Sequence, residues 1–354
     1  MCIKLNKAIE SMSSPKFLST YREIAYNKQT AAFKVAQSIP LKFDHKMSIN
    51  SLWEIHDKGI EEYKKIIKDS AARMGYITKN GVSNSLLKLK LLISQKLLQN
   101  CCFCERKCGV DRTSNEVGYC GVGEISKYAT EFIHMGEEPE LVPSHTVFFT
   151  GCTFSCIYCQ NCSISTSPQS GIEIDSYNLA KIVEDRRKKE SLNINFVTPI
   201  PHLHTILDIV NNIDTNMPII WNSNMYHSIE TSKLLEGVVD LYLGDFKYGN
   251  DECAKKLSNA NEYMNTVTRN FHKAYSTSEI LIRHLLLPNH IECCTYPLVV
   301  WIAENIPKIR FNLMFQYYPH YKAYEDPKIY RCLTKEEMQK ASLFVKEKET
   351  LDIV

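Results

Sequence analysis

From residue 145 onward the chain alternates between two kinds of apolar pattern. Short runs rich in Val, Ile, Leu and Phe cover His145–Cys152, Asn193–Thr198, Pro218–Asn224, Leu241–Tyr248, Glu279–Pro288 and Arg310–Pro319. Such unbroken apolar runs are what strands buried on both faces of a parallel sheet require. Between them, apolar residues recur at spacings of three and four over Tyr177–Glu190, Leu203–Ile213, Ile229–Val238, Asp251–Ser276 and Tyr296–Asn305, which predicts helices. Six strands with helices between them predict a parallel α/β sheet with right-handed crossovers. Six units are too few for a closed eight-stranded barrel, so the expectation is a partial (β/α)6 barrel, with functional residues at the C-terminal strand ends. Upstream, Ile49–Ile67 and Leu86–Leu98 have helical spacing and Lys79-Asn80-Gly81 marks a turn, giving an N-terminal helical extension that reads as a cover or partner surface. The expected boundaries are 1–95 for the extension, 96–140 for a small Cys-rich module and 141–350 for the barrel.

Composition narrows the partners. The 354 residues carry 42 basic and 40 acidic side chains, for a net charge of +2. No chain-wide attraction to nucleic acid or membrane follows from that balance. No apolar run reaches the roughly 20 residues needed to span a bilayer. Residues 1–42 are mildly basic and Ser-containing, as organellar transit segments are, but Arg22 is the single Arg there. The expected location is cytoplasmic, with an organellar matrix as the alternative.

Cysteine changes the picture more than charge does. Of 14 Cys, five lie within 101–120 and four within 152–162. Tight clusters in a chain of this size indicate metal sites in a reducing compartment rather than a disulfide framework. Cys152, Cys156 and Cys159 follow the first barrel strand with spacing C-x3-C-x2-C. Three thiolates in one loop can hold a 4Fe-4S cluster and leave one iron without a protein ligand, open to substrate or cofactor. Zinc is the competing occupant, and it usually takes four ligands in pairs. Cys162 is an alternative ligand, but reads more readily as an ordinary thiol nearby. Upstream, Cys101, Cys104, Cys108 and Cys120 form C-x2-C-x3-C-x11-C. That set suits zinc or an auxiliary iron–sulfur cluster, spacing alone not separating them, with Cys102 able to replace Cys101; buried thiols acting as small hydrophobes are the plain alternative. Cys253, Cys293, Cys294, Cys332 and Cys2 have no ligand-like sequence neighbours and read as core or surface thiols.

The triad, with Tyr158 before its third Cys, resembles the radical S-adenosylmethionine superfamily in spacing and place. The likeness continues through His134-Met135-Gly136-Glu137-Glu138-Pro139, Gln160-Asn161, Ile164-Ser165, Trp221-Asn222-Ser223-Asn224-Met225-Tyr226, Asp245-Phe246-Lys247-Tyr248, Arg283-His284-Leu285-Leu286-Leu287-Pro288 and Gln316-Tyr317-Tyr318-Pro319. Together these resemble an uncharacterised family related to pyruvate formate-lyase activating enzyme, over about residues 95–345. The resemblance implies a barrel of the radical enzyme type. It also implies reductive cleavage of S-adenosylmethionine and hydrogen abstraction by the resulting 5′-deoxyadenosyl radical. It points to Asp245 and Lys247 for positioning cofactor and target, a strand-end salt bridge without a ligand being the plain alternative; Arg283, at the end of another strand, is a candidate anchor for a ligand carboxylate. Tyr158, Thr198, Asn222, Asp245 and Gln316 become candidate cofactor contacts, with His320 weaker still. A reductant protein such as flavodoxin or ferredoxin is implied, and a protein substrate bearing a glycyl radical is one option. The Gly-Gly-Glu run common in the superfamily is absent: Phe196-Val197-Thr198-Pro199 stands there, making Thr198 the substitute contact. A degenerate binding protein and an electron carrier are the competing functions.

Overall fold

The computed structural model describes residues 17–76 and 82–354. The start of the transit-like stretch, Cys2 and the Lys79-Asn80-Gly81 turn fall outside them. Nine strands form one sheet: β1 (Lys127–His134), β2 (Ser144–Phe149), β3 (Ile172–Glu173), β4 (Asn193–Val197), β5 (Ile219–Ser223), β6 (Leu241–Asp245), β7 (Glu279–Leu285), β8 (Ile309–Met314) and β9 (Leu351–Ile353). Their order is β3-β1-β2-β4-β5-β6-β7-β8-β9. From β2 to β9 every pairing is parallel, whereas β1 pairs antiparallel with β2 and β3. All six expected barrel strands are present, in the expected order. The additions are β1, β3 and β9, which cap the edges and whose half-exposed or very short sequences carry little periodic signal.

The sheet curves. Seven strands at about 4.8 Å spacing would span about 29 Å if flat. Yet a single cavity of about 350 Å³ is lined by His134 of β1, Phe148 of β2, Val197 of β4, Asn222 of β5, Asp245 of β6, Arg283 of β7 and Met314 of β8. The strands must therefore wrap around it, giving the expected partial barrel.

Helices cover the outside at Ser176–Lys188, Leu203–Asn211, Ile229–Leu235, Tyr263–Thr277 and Tyr296–Asn305. The long helix expected over Asp251–Ser276 is two, Asp251–Ser258 and Tyr263–Thr277, because Asn259 and Glu262 adopt φ of 51° and 45°. That left-handed backbone ends the first helix, and Asn tolerates it better than most residues.

The N-terminal segment is part of the fold. The helix Ser19–Ala25 closes the lower mouth of the barrel, where Leu18 and Tyr21 join Leu141, Ile220, Leu241, Leu243 and Leu281 in a buried cluster. The Glu279 carboxylate accepts from the N–H groups of Thr20 at 3.1 Å and Tyr21 at 2.6 Å. Asn193 Nδ2 donates to the Tyr21 hydroxyl at 2.7 Å. Helices Ile49–Lys68 and Leu86–Lys96 pack outside the sheet, and their buried faces belong to the main core.

Candidate metal and cofactor site

The cluster loop is shaped before any metal enters. After β2, Gly151 turns the chain at φ 74°. A Cβ there would lie 2.6 Å from Val122 Cγ2 and 2.7 Å from the Cys120 carbonyl oxygen, so only Gly fits. The N–H groups of Ser155 and Ile157 donate to the carbonyls of Ser258 and Leu257 at 3.1 and 3.0 Å. Arg106, from the upstream Cys-rich segment, donates Nε–H to the Thr153 carbonyl at 2.7 Å and stacks 3.3 Å from the Tyr119 ring centroid. The loop is thus held from inside by the helix Asp251–Ser258 and from outside by the Cys-rich segment.

Its three cysteines line the cavity, and each sulfur has a hydrogen-bonding partner. The Phe154 N–H donates to Cys152 Sγ at 3.4 Å, Ser258 Oγ to Cys156 Sγ at 2.8 Å, and Ser165 Oγ lies 3.2 Å from Cys159 Sγ. Burial pushes the Cys152 thiol up to about 12 and Cys156 to about 11, with the neighbouring thiols adding to it at Cys152 and the Lys247 ammonium opposing it at Cys156. Buried thiolates without a cation are costly, so a metal centre supplies what the apolar surroundings withhold. Cys152, Cys156 and Cys159 are the cysteines among the residues lining the cavity. Cys162 turns aside, its Sγ 3.6 Å from His320 Nε2. The donor set therefore fits an iron–sulfur cluster with three protein thiolates and one iron uncapped.

Around this loop the structure gathers most residues expected from the sequence. Lys247 Nζ donates to Asp245 Oδ2 at 2.8 Å. Burial works to lower the Lys247 pKa, but Asp245, Tyr158 and Cys156 together hold it well above the ordinary lysine value. The Tyr158 hydroxyl meets that of Tyr248 at 2.7 Å, and Tyr248 is bonded in turn to Ser258. Thr198 and Asn222 line the cavity, joined by a bond from the Thr198 N–H to the Asn222 carbonyl at 3.0 Å. Thr198 has φ 61°, a costly backbone for a β-branched residue, immediately where the usual Gly-rich turn is missing.

Arg283 lines the cavity too, but its guanidinium is occupied. Nε–H donates to Glu138 Oε1 at 2.8 Å, and Nη2 donates to both Glu138 and Glu137. Asn312 Nδ2 adds a donor to Glu138 at 2.7 Å and Asn195 Nδ2 one to Glu137 at 3.0 Å. Gln316 lies outside the cavity lining and is exposed, its carbonyl accepting from Gln160 Nε2 at 3.4 Å. The sequence reading did not assign roles to Glu137, Glu138, Asn224 or Ser258. The first three stand in the motifs quoted for the resemblance, whereas nothing in the sequence marks Ser258.

The upstream thiols also converge. Cys104 and Cys120 are raised chiefly by burial, each further by other thiols of the set, Cys104 to about 12. Zinc-bound thiolates sit roughly 3.8 Å apart. Among the described residues, no three of Cys101, Cys102, Cys104, Cys108 and Cys120 have sulfurs all within 4.8 Å of one another.

Residues 143–264 match the family model of a 4Fe-4S single cluster domain. The uncharacterised protein MJ0674 of Methanocaldococcus jannaschii is 42% identical over 345 residues, covering 95% of this chain and 99% of that protein. Among solved structures, Streptococcus suis SuiB bound to S-adenosylmethionine matches with TM-score 0.45 and 12% identity, over 57% of this chain and 47% of that one. TYW1 with a lysine-pyruvate adduct bound matches with TM-score 0.38 and 11% identity, over 58% of this chain and 73% of that one. The chain thus spans about half of SuiB's length. Likeness that low specifies no chemistry. No described helix is long and apolar enough to cross a membrane.

Proposed function

The chain belongs to the family of the uncharacterised Methanocaldococcus jannaschii protein MJ0674, and on that premise we propose that it is a radical S-adenosylmethionine enzyme. The observation that carries this is the count of thiolates: three on one loop, lining a cavity at the strand ends, with the fourth nearby Cys turned away. An electron carrier would cap every iron, so an uncapped corner favours a catalyst over a relay.

Cys152, Cys156 and Cys159 would hold the cluster. When bound, the cluster would supply one electron for reductive cleavage of S-adenosylmethionine at its open iron, the hard chemistry belonging to the cofactor. The chain's own contribution is placement, charge and dryness. Asp245 and Glu137 set two carboxylates beside Lys247 and Arg283 in the cavity wall, with Glu138 buried behind Arg283. Two cations are thus each held by carboxylate partners, and the wall presents both signs of charge to a zwitterionic ligand. The Asp245–Lys247 pair offers a carboxylate to an amino group and an ammonium to a carboxylate. Asn222 and the strained Thr198 turn present polar groups where the Gly-Gly-Glu run would stand. Tyr158 and Tyr248, both buried, exclude water beside Cys156.

The finer assignment follows the sequence resemblance. We assign a role like that of pyruvate formate-lyase activating enzyme, with a flavodoxin- or ferredoxin-type reductant and a separate protein substrate. The upstream Cys101, Cys104, Cys108 and Cys120 are proposed to hold a second metal centre, zinc or an auxiliary iron–sulfur cluster.

Anaerobic reconstitution, reduction with dithionite and chromatography for 5′-deoxyadenosine test the reading. Cys156→Ala is expected to abolish 5′-deoxyadenosine formation with the fold intact, and Cys162→Ser to retain it. Activity surviving in Cys156→Ala, or lost equally in Cys162→Ser, removes the three-thiolate mechanism.

A further inference from the structure

Far from each other in sequence, Cys253, His290 and Cys293 place one ligand atom each within 4.8 Å of the other two. No other set of three His, Cys, Asp or Glu residues among the described ones gathers so closely in a metal-binding arrangement. The Cys253 and Cys293 sulfurs are 3.8 Å apart. Two thiolates at about 2.3 Å on a tetrahedral zinc ion sit at roughly that distance. In sequence Cys253 and Cys293 have no ligand-like neighbours; the fold supplies them. Adjacent Cys293 and Cys294 do not chelate as a pair; Cys293 is joined instead by Cys253, 40 residues earlier.

The imidazole is prepared for the task. His290 Nδ1 lies 2.7 Å from the Pro288 carbonyl oxygen, which can only accept, so in the neutral ring Nδ1 carries the proton and Nε2 the lone pair. Fixing the tautomer through the distal nitrogen is how ligating histidines are usually held. His290 is buried, while Cys253 and Cys293 are half-exposed, which leaves one side open to ions and to a solvent ligand. Cys294, 3.9 Å from Cys293 by sulfur, is buried in the core and outside the mutually close set.

The backbone around the three residues is tightly built. Asn250 caps the helix Asp251–Ser258 through the Cys253 N–H at 2.8 Å, and its Nδ2 donates to the Cys293 carbonyl at 2.6 Å. Gly249 packs so closely on the turn that a Cβ would lie 2.5 Å from the Cys294 carbonyl oxygen. His290 precedes, and Cys293 lies within, a π-helical turn, Ile291–Thr295, an irregularity often found at functional sites.

We propose that Cys253, His290 and Cys293 bind a soft divalent cation, Zn(II) being the representative, with a fourth position open to solvent. Two thiolates and an imidazole are the donors such an ion takes. The ion would tie the helix Asp251–Ser258, which follows Asp245 and Lys247 in the chain, to the turn after β7. It would also fix the first turn of the helix whose last residue, Ser258, donates to Cys156.

The test uses the full anaerobically reconstituted chain with zinc as the probe. Wild type is expected to hold one zinc equivalent more than Cys253→Ser/Cys293→Ser, with iron and sulfide equal in both. Cys294→Ala is expected to keep that zinc. A measurement without variants runs beside it: in wild type, Cys253 and Cys293 are expected to resist iodoacetamide when zinc is present and to react after chelation, while exposed Cys332 reacts in both states. Equal zinc in wild type and the double variant, chelator-independent labelling, or a Cys253–Cys293 disulfide in the chain alkylated without reductant would each overturn the assignment.

Discussion

Replacing Arg283 by Met distinguishes a structural cation from a ligand clamp. The side chain is 13% exposed, and its partners Glu137 and Glu138 are 6% and 2% exposed. Removing one member of such a buried ionic group typically costs about 3–5 kcal/mol, because the remaining charges are left uncompensated. Unfolding entropy for 354 residues is roughly 0.7 kcal/mol/K at about 2.1 cal/mol/K per residue. The expected loss is then about 4–7 °C in Tm, or the equivalent shift in a urea midpoint. Its pH dependence has a definite sign. Burial alone would raise Glu138, but Arg283 and Asn312 hold it below the ordinary glutamate value. In wild type this carboxylate therefore contributes stability above its unfolded pKa of about 4.3, lost as pH falls through the lower folded value. In Arg283→Met, burial dominates and lifts Glu138, so the variant sheds its penalty by taking up a proton as pH falls. The stability gap should be widest near pH 7 and narrow toward the carboxylate range, and Glu138→Gln added to Arg283→Met should close part of it. A variant as stable as wild type that instead binds S-adenosylmethionine many-fold more weakly would refute this reasoning and make Arg283 a ligand anchor. A gap independent of pH would refute it as well.

Three further outcomes are expected. Ser258→Ala removes the 2.8 Å donor to Cys156 Sγ; because that bond favours the more negative reduced cluster, the midpoint potential should fall by about 20–60 mV, at about 43 mV per kcal/mol for one electron, and an unchanged potentiometric titration would separate Ser258 from the cluster. Gly151→Ala forces a Cβ against Val122 and the Cys120 carbonyl at φ 74°, so a loss of about 2 kcal/mol or more with reduced iron content is expected, and full iron loading at wild-type stability would contradict the tight turn. Thr198→Gly relieves a left-handed Thr at φ 61° and should raise stability by about 1 kcal/mol in urea unfolding; a loss of stability would show that the hydroxyl outweighs the strain.

The strand series was legible because two-sided burial leaves an unbroken apolar run, and β2, β4, β5, β6, β7 and β8 all lie where such runs predict them. The three cluster thiols were legible because eight consecutive residues supply all of them, so their proximity is a property of one loop. Tertiary structure decided what depends on residues far apart in the chain. Cys162 follows Cys159 at the same spacing that separates Cys156 from Cys159, yet the short helix Cys162–Ser165 turns its sulfur to His320, away from the cavity that the other three line. Arg283 reads as a free cation until Glu137 and Glu138, some 145 residues earlier, are folded against it. Gln316 sits on the strand-end motif but outside the cavity. The Cys253–His290–Cys293 group is invisible in sequence for the same reason. Local spacing specifies backbone conformation and short-range ligand sets, while charge compensation and long-range ligand sets exist only once closure of the sheet brings separate loops to one end.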